Sequence, residues 1–564
     1  MDRGRGSASG RGLLLLYKRS ICAGVCSVCA QGLAGREFPT RKNSRLLPRS
    51  ITVILKPAIM PLAEETTVLD PPRTVPIVII GNGPSGICLS YMLSGYRPYL
   101  CPDAVHPNSI LQSKLEEARH LSIPEQDLEY LSEGLEGRSS NPVAVLFDTL
   151  LHPNADFGYD DYPTVLQWKL ESEHYIPHLV LGKGPPGGAW NDMEESMLTL
   201  SLGDWMELPG LKFKDWTLCN RRNSKNDRAT PAEVASYYKH YVKLMGLKRN
   251  FIDNSYVTYV AKTYREPEES ACEETTRILS EQAQHKQNHD YLKNWEIQGY
   301  RRAADGSREP FCLFAETVVL ATGTFDAPAR LEVNGEDLPY VAHSLTEFEA
   351  AVCKGKFRGT TDPVLIVGAG LTAADAVLCA HSHNIPVIHV FRRRLNDPNL
   401  IFKQLPKKLY PEYHRVYHMM CTQSYGTSSI HTKYTSFPEH CVLSFNPDMK
   451  CVLQSSSGLK KVFKISKALV LIGSHPNLFF LKEQGRSLGH HPNQPIACKG
   501  NPVEINPYTY EASKEPNLFA LGPLVGDNFI RFLKGGALAI TRCLEMRLKN
   551  KNQIDESASN NGVC

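Results

Sequence analysis

The chain lacks a long apolar run, a charge excess and a regular cysteine frame. Across its 564 residues the longest apolar candidate in the N-terminal region is Leu13–Leu16. A membrane span needs about 18 consecutive apolar residues, so no transmembrane segment is expected. Lys and Arg number 63 against 59 Asp and Glu, a net charge of +4. That balance gives no basic footprint, and no nucleic-acid partner is expected. The 16 cysteines are scattered, which favours free thiols in a reducing compartment over a stapled core. Tandem repeats are absent, as is any convincing catalytic triad or metal cluster. Apolar residues make up 42% and charged residues 22%, which excludes wholesale disorder or a fibre. The length implies roughly two to four domains or one large α/β assembly.

Residues 1–70 read as a leader. Ten of the first fifty are Lys or Arg, opposed only by Asp2 and Glu37. The composition is that of a mitochondrial transit peptide, but a disordered extension with Met60 as an alternative start is the plainer reading. Cys22, Cys26 and Cys29 match an iron–sulfur spacing. They stand outside any strand–helix context and read as coincidence. Residues 551–564 read as a disordered tail.

What is present begins at Val75–Ile80, a β-branched run that reads as a buried strand. It leads into Gly81-Asn-Gly83-Pro84-Ser85-Gly86 and then the apolar Ile87–Leu93. A GxGxxG between strand and helix is a dinucleotide fingerprint. Gly81 allows the turn, Gly83 leaves room for a pyrophosphate, and Gly86 lets the helix pack close. The helix N-terminus then offers unpaired N–H groups to the phosphates. A second strand is expected over Arg97–Leu100, with Asp103 where a carboxylate would take the ribose hydroxyls. A surface loop is an equal alternative for Asp103, because Pro98 and Pro102 interrupt the strand.

A second fingerprint follows Pro363–Val367: Gly368-Ala-Gly370-Leu-Thr-Ala373, with a helical run over Ala374–Ala380. The next strand, Pro386–Phe391, ends in Arg392, Arg393 and Arg394. Arginines at that position suit a 2′-phosphate, because guanidinium pairs with phosphate bidentately. A solvated basic patch is the plain alternative. Two fingerprints in one chain, the second with arginines, point to FAD in the first and NADPH in the second.

Other segments bear on the same sites. Glu316–Gly323 is a strand ending at Thr322-Gly323, whose small residues let the chain cross close to a dinucleotide. Gly187-Gly188-Ala-Trp190 offers close backbone approach and a flat wall, or merely a turn and a core tryptophan. Gly526-Asp527 precedes an apolar helix over Gly535–Leu544, placing Asp527 near a flavin ribityl chain or simply ahead of a packed helix. Residues 265–310 read as a polar surface hairpin or loop with Trp295–Ile297 as the only strand-like part. His343 is more structural than acid–base.

The order GxGxxG, GGxW, ATG, HS, GxGxxA resembles the class B flavoprotein monooxygenases over roughly residues 75–545. More narrowly, Val75–Leu100, Tyr130–Arg138, Gly473–Pro476 and Gly522–Gly536 are similar to the oxidative stress-induced growth inhibitor family. The resemblance implies an α/β fold of two Rossmann-like dinucleotide-binding domains, the second inserted in the first. The expected division is an FAD-binding domain over 71–340 and 465–550, and an NADPH-binding domain over 341–464. A helical insert over 105–175 would cover the active site or bind a protein partner. It further implies FAD and NADPH as cofactors, an NADPH-dependent monooxygenase acting on a small molecule, and a link to growth control and cell division. Pro339 and Asp337 depart from the monooxygenase signature before His343, which leaves room for a regulatory flavin-fold protein with little turnover. A flavin disulfide reductase is less favoured, since no cysteine stands beside Gly187-Gly188. The expected location is intracellular: cytoplasmic, with mitochondrial or nuclear as alternatives.

Overall fold

The computed structural model describes residues 73–155, 162–193, 198–220, 227–265, 292–357, 362–425 and 433–561. The leader and its cysteine motif lie outside these residues.

The β-branched run before the first glycine loop forms β1 (Arg73–Ile80), and α1 (Pro84–Leu93) follows. Every residue of α1 after Pro84 is buried, as expected of a helix that is apolar all round. Next come β2 (Tyr96–Leu100), α2 (Ser109–Glu117), α3 (Leu128–Ser132), α4 (Pro142–Leu151) and β3 (Leu166–Leu170). β2 pairs antiparallel with β3 and stays outside the main sheet. The strand that returns beside β1, in parallel, is β4 (His178–Leu181). Then follow α5 (Phe213–Asn220), α6 (Pro231–Leu244), β5 (Phe251–Ile252), β6 (Ser255–Arg265), β7 (Leu292–Arg302) and β8 (Arg308–Leu320).

The main sheet runs β5-β4-β1-β8-β7-β6, with the much later β19 (Leu518–Ala520) added on β8. Its centre is parallel and buried, whereas β6 and β7 form an antiparallel hairpin on β8. Trp295 lies in β7, which is paired on both sides within the main sheet, and Trp295 and Ile297 are buried in its core, so this part of the segment is not the surface hairpin or loop expected from the sequence; residues 266–291 lie outside the described residues.

The second unit starts after β9 (Ala327–Pro328). It holds β10 (Val341–Ala342), α7 (Leu345–Cys353), β11 (Val364–Val367), α8 (Leu371–Ser382), β12 (Val387–Phe391), α9 (Ile401–Gln404), α10 (Pro411–Thr422) and β13 (Tyr434–Pro438). An antiparallel meander of β14 (His440–Phe445), β15 (Lys450–Ser455) and β16 (Lys460–Lys464) leads into β17 (Lys467–Val470). The second sheet, β10-β17-β11-β12-β13, is parallel throughout. Alternate residues of β11 enter different cores: Val364 and Ile366 face one, Leu365 and Val367 the other. Helices α7, α8 and α10 supply the first core and the meander the second, so both faces of the parallel sheet are covered.

The chain returns through β18 (Ser474–His475), antiparallel to β9, then β19 and the long α11 (Ile530–Asn561). The architecture is thus α/β with the second parallel-sheet unit inserted in the first. Because β17 lies inside the second sheet, that unit continues past residue 464 to Val470. Helix α11 runs on to Asn561, through most of the range read as a tail. The insert is part of the core: Val143, Ala144, Leu146, Phe147 and Leu150 of α4 are fully buried, and α4 packs along α11.

Candidate dinucleotide-binding sites

Both glycine loops have the same physical design. Gly81 has φ +118° and Gly368 φ +135°, a region open mainly to glycine. A Cβ on Gly81 would collide with the carbonyl oxygen of Ala321, and one on Gly368 with that of Leu471. The first glycine of each loop therefore crosses tightly over the end of a neighbouring strand. At the second glycine there is room: the nearest atom to a Cβ on Gly83 is the Gly188 Cα at 4.0 Å, and nothing lies within 4 Å of one on Gly370. The third position closes the helix on the loop. A Cβ on Gly86 would strike the Gly81 carbonyl, whereas Ala373 keeps its methyl 3.4 Å from the Gly368 Cβ position. Helices α1 and α8 start at Gly83 and Gly370 with no side-chain cap, and Pro84 occupies the first turn of α1 without losing a needed N–H. Free N–H groups beside an open glycine are what a diphosphate requires.

The first loop is walled by the Gly187–Gly188 segment. The Gly187 amide donates to the Asn82 carbonyl at 2.9 Å, and a Cβ on Gly188 would come within 2.9 Å of the Gly83 Cα. Trp190, half-buried, packs against the first core. Just past the end of β8 the Thr322 hydroxyl is buried without a partner among the described residues, while Gly323, at φ +68°, has none of them close to its Cβ position. Sequence reasoning missed Gly522, whose Cβ position collides with the Ser85 Oγ. It brings the end of β19 onto α1, and only the pairing of β19 with β8 reveals it.

Two sequence expectations are corrected. Asp103 is exposed on the turn after β2, and β2 is no neighbour of β1, so Asp103 does not stand at the parallel strand end that faces a ribose. Asp527 turns inward. Its Oδ1 accepts from Ser139 Oγ at 2.7 Å and Asn141 Nδ2 at 3.0 Å, and its Oδ2 from the Tyr510 hydroxyl at 2.8 Å. It ties the loop after Gly526 to the start of α4, and burial raises its pKa to about 6. The next residue, Asn528, keeps a buried Oδ1 without a partner among the described residues.

In the second site the arginines separate. β12 is the parallel neighbour of β11, so Arg392, Arg393 and Arg394 stand at the strand end that faces a ribose. All three are exposed. Arg393 pairs with Asp397 at 2.7 Å and Arg394 with Glu439 at 2.9 Å; Arg392 has no ion-pair or hydrogen-bond partner among the described residues. Sequence reasoning also missed His389. This fully buried imidazole meets the Gly368 carbonyl through Nε2 and the Tyr434 hydroxyl through Nδ1, each at 2.7 Å. A carbonyl only accepts, so Nε2 carries the proton and Nδ1 accepts from Tyr434. Burial pushes its pKa down to about 4. His178 is a second buried imidazole, at the start of β4 beneath the middle of α1 rather than at the loop. Its Nδ1 donates to the Ile176 carbonyl at 2.7 Å and its Nε2 accepts from Ser90 of α1 at 2.8 Å. Burial lowers its pKa to about 4 as well.

These groups set a pH dependence. Unfolding at about pH 5 releases two imidazoles to an ordinary pKa of 6.5, so the unfolded chain binds two extra protons there. Asp527, ordinary at 3.8 and about 6 when folded, binds one extra in the folded state. The balance of these three groups loses on the order of 1 kcal/mol of stability per pH unit as pH falls from about 6.5 to about 4.5, and His152, which burial also holds well below 6.5, adds to the loss in the same direction. The Tm of the apoprotein should fall across that window; a flat or rising Tm contradicts the neutral burial of the histidines.

A further polar cluster lies between α4 and α11. Arg531 holds Asp148 through two bonds of 2.7 and 2.5 Å and lies over the Trp205 ring. Lys534 is buried, with the His152 Nε2 at 3.5 Å. His343 bonds the buried Glu336 at 2.8 Å, and Glu336 also accepts the amides of Leu331 and Glu332. His343 therefore braces the loop between the two units. Ten cysteines among the described residues are free thiols.

No protein-family model matches the chain. It is 69% identical over 507 residues to human "Oxidative stress-induced growth inhibitor 2", covering 90% of this chain and 100% of the relative. It is 49% identical over 470 residues to human "Oxidative stress-induced growth inhibitor 1", covering 83% and 95%. Among solved structures, a bacillithiol disulfide reductase from Bacillus cereus superposes with a TM-score of 0.50 at 15% identity, covering 84% of this chain and 100% of the other. That likeness is one of fold. On the strength of the two human relatives, the chain belongs to the oxidative stress-induced growth inhibitor family.

Proposed function

We propose that this protein is an FAD- and NADPH-dependent, monooxygenase-like oxidoreductase that acts in the growth response to oxidative stress. The observation that carries the reading is the repeated cradle: two loops, each with a tight first glycine, an open second glycine and an uncapped helix. The residues present fit the cofactors. Gly83, the Ser85 and Gly86 amides, Gly187, Gly188 and the unpartnered Thr322 hydroxyl would hold FAD. Gly370, the first turn of α8 and the free Arg392 would hold NADPH, with Arg392 on the 2′-phosphate and Arg393 steadied by Asp397 beside it. Trp190 would wall the first site. Bound together, the two cofactors supply hydride transfer and the activation of dioxygen. The chain's own part is to fix the two diphosphates, hold the second loop through His389 and the helix behind the first through His178, and exclude water.

No side chain is required as a nucleophile, and the bonding of Asp527 to its own chain frees the mechanism from that residue. The test is purification of the full chain from its native source, followed by release and identification of bound nucleotide. FAD at about one per chain supports the reading; a chain devoid of flavin that also fails to take it up contradicts it. One observation favours a second reading, that of a flavin-fold regulator with little turnover. His343 is tied to a buried carboxylate in a loop that departs from the monooxygenase signature. Steady-state NADPH consumption separates the two.

A further inference from the structure

In a dinucleotide fold the adenosine ribose lies over the end of the strand that neighbours the fingerprint strand in parallel, and a carboxylate there takes its hydroxyls. In the first unit that strand is β4, and the residue following it is Gly182. No side chain can be added there without rearrangement, because a Cβ on Gly182 would collide with the side-chain amide of Asn82. Asn82, the middle residue of the first Gly-x-Gly, is 4% exposed, and its Nδ2 donates to the Gly184 carbonyl at 2.7 Å. Its main-chain carbonyl accepts from the Gly187 amide at 2.9 Å. The amide is therefore locked between the fingerprint and the Gly187–Gly188 wall, over the position a carboxylate would use. The next residue, Lys183, pairs with Asp326 at 2.9 Å, so it brings a cation rather than a carboxylate to this strand end.

We infer that the Asn82–Gly182 pair sets how the first site reads its nucleotide. One neutral acceptor, Asn82 Oδ1, stands where a carboxylate would present two charged ones. FAD is then held mainly through its diphosphate, and its adenosine hydroxyls contribute little. This rests on the reading that the first cradle takes FAD.

The full chain, stripped of nucleotide, is titrated with FAD and with its 2′-deoxyadenosine analogue, following flavin fluorescence. The expected result is a difference in Kd of less than about threefold, since a neutral contact adds little. A preference for FAD of about tenfold or more would overturn the inference while leaving the FAD reading intact. Absence of binding by either would overturn both. A second arm uses the double variant Asn82→Gly, Gly182→Glu, which opens the space and returns the carboxylate. It is expected to bind FAD at least about tenfold tighter and to acquire the preference against the deoxy analogue. A folded double variant that binds no tighter than the parent would overturn the inference; if it does not fold, the comparison on the parent chain decides.

Discussion

Gly83→Val is expected to leave the chain folded and to abolish its retention of flavin. The space around Gly83 belongs to the ligand, since the nearest atom to a Cβ there is 4.0 Å away. A branched side chain fills that space, blocks approach of the diphosphate and costs the site its contact with the helix N-terminus. Flavin affinity should fall by about a hundredfold or more, on the order of 3 kcal/mol, with the apoprotein Tm little changed. Gly81→Ala is the contrasting variant. Its φ of +118° and the collision with the Ala321 carbonyl put the damage in the fold itself, with about 1–3 kcal/mol from the backbone conformation alone. Visible flavin absorbance retained by Gly83→Val, or a Tm loss in Gly83→Val as large as that of Gly81→Ala, would contradict the division of labour between the two glycines.

Arg392→Asp is expected to weaken NADPH binding by about 10- to 100-fold, the range of one charge-assisted contact. NADH, which has no 2′-phosphate, should change by less than about threefold. Arg392 is singled out because its guanidinium has no other bond among the described residues, while Arg393 and Arg394 are engaged by Asp397 and Glu439. Arg393→Ala should accordingly have the smaller effect. Dissociation constants for both nucleotides, measured at one ionic strength, check this. Equal losses for NADPH and NADH would remove the 2′-phosphate assignment.

The two strand–glycine–helix units were legible because every part of the signal is local. Val75–Gly86 and Pro363–Ala373 each carry the strand, the turn and the helix start in a dozen residues. Their sheets follow from the same pattern, since short β-branched runs that end at a glycine are buried parallel strands. What stayed hidden depends on partners far apart in sequence. Counting from Gly81 placed Asp103 near the ribose, but β2 leaves the sheet to pair with β3, and β4 takes its place some 80 residues later. Gly182 then becomes the residue that matters, and nothing about a lone glycine after Leu181 announces it. Asp527 looked like a ligand because it precedes a helix. Its three bonds come from Ser139, Asn141 and Tyr510, which only the packing of α4 against the start of α11 brings together. His389 and His178 are similar: each is one polar residue in an apolar strand, and its purpose is visible only when the carbonyl it holds is in place.

Anaerobic titration of the FAD-loaded full chain with NADPH tests the paired cradles most directly, because bleaching of the flavin needs both sites filled and facing each other. The account predicts loss of the oxidised flavin absorbance at about one NADPH per FAD, with NADH much less effective. A chain that holds FAD but keeps its oxidised spectrum in excess NADPH would contradict it.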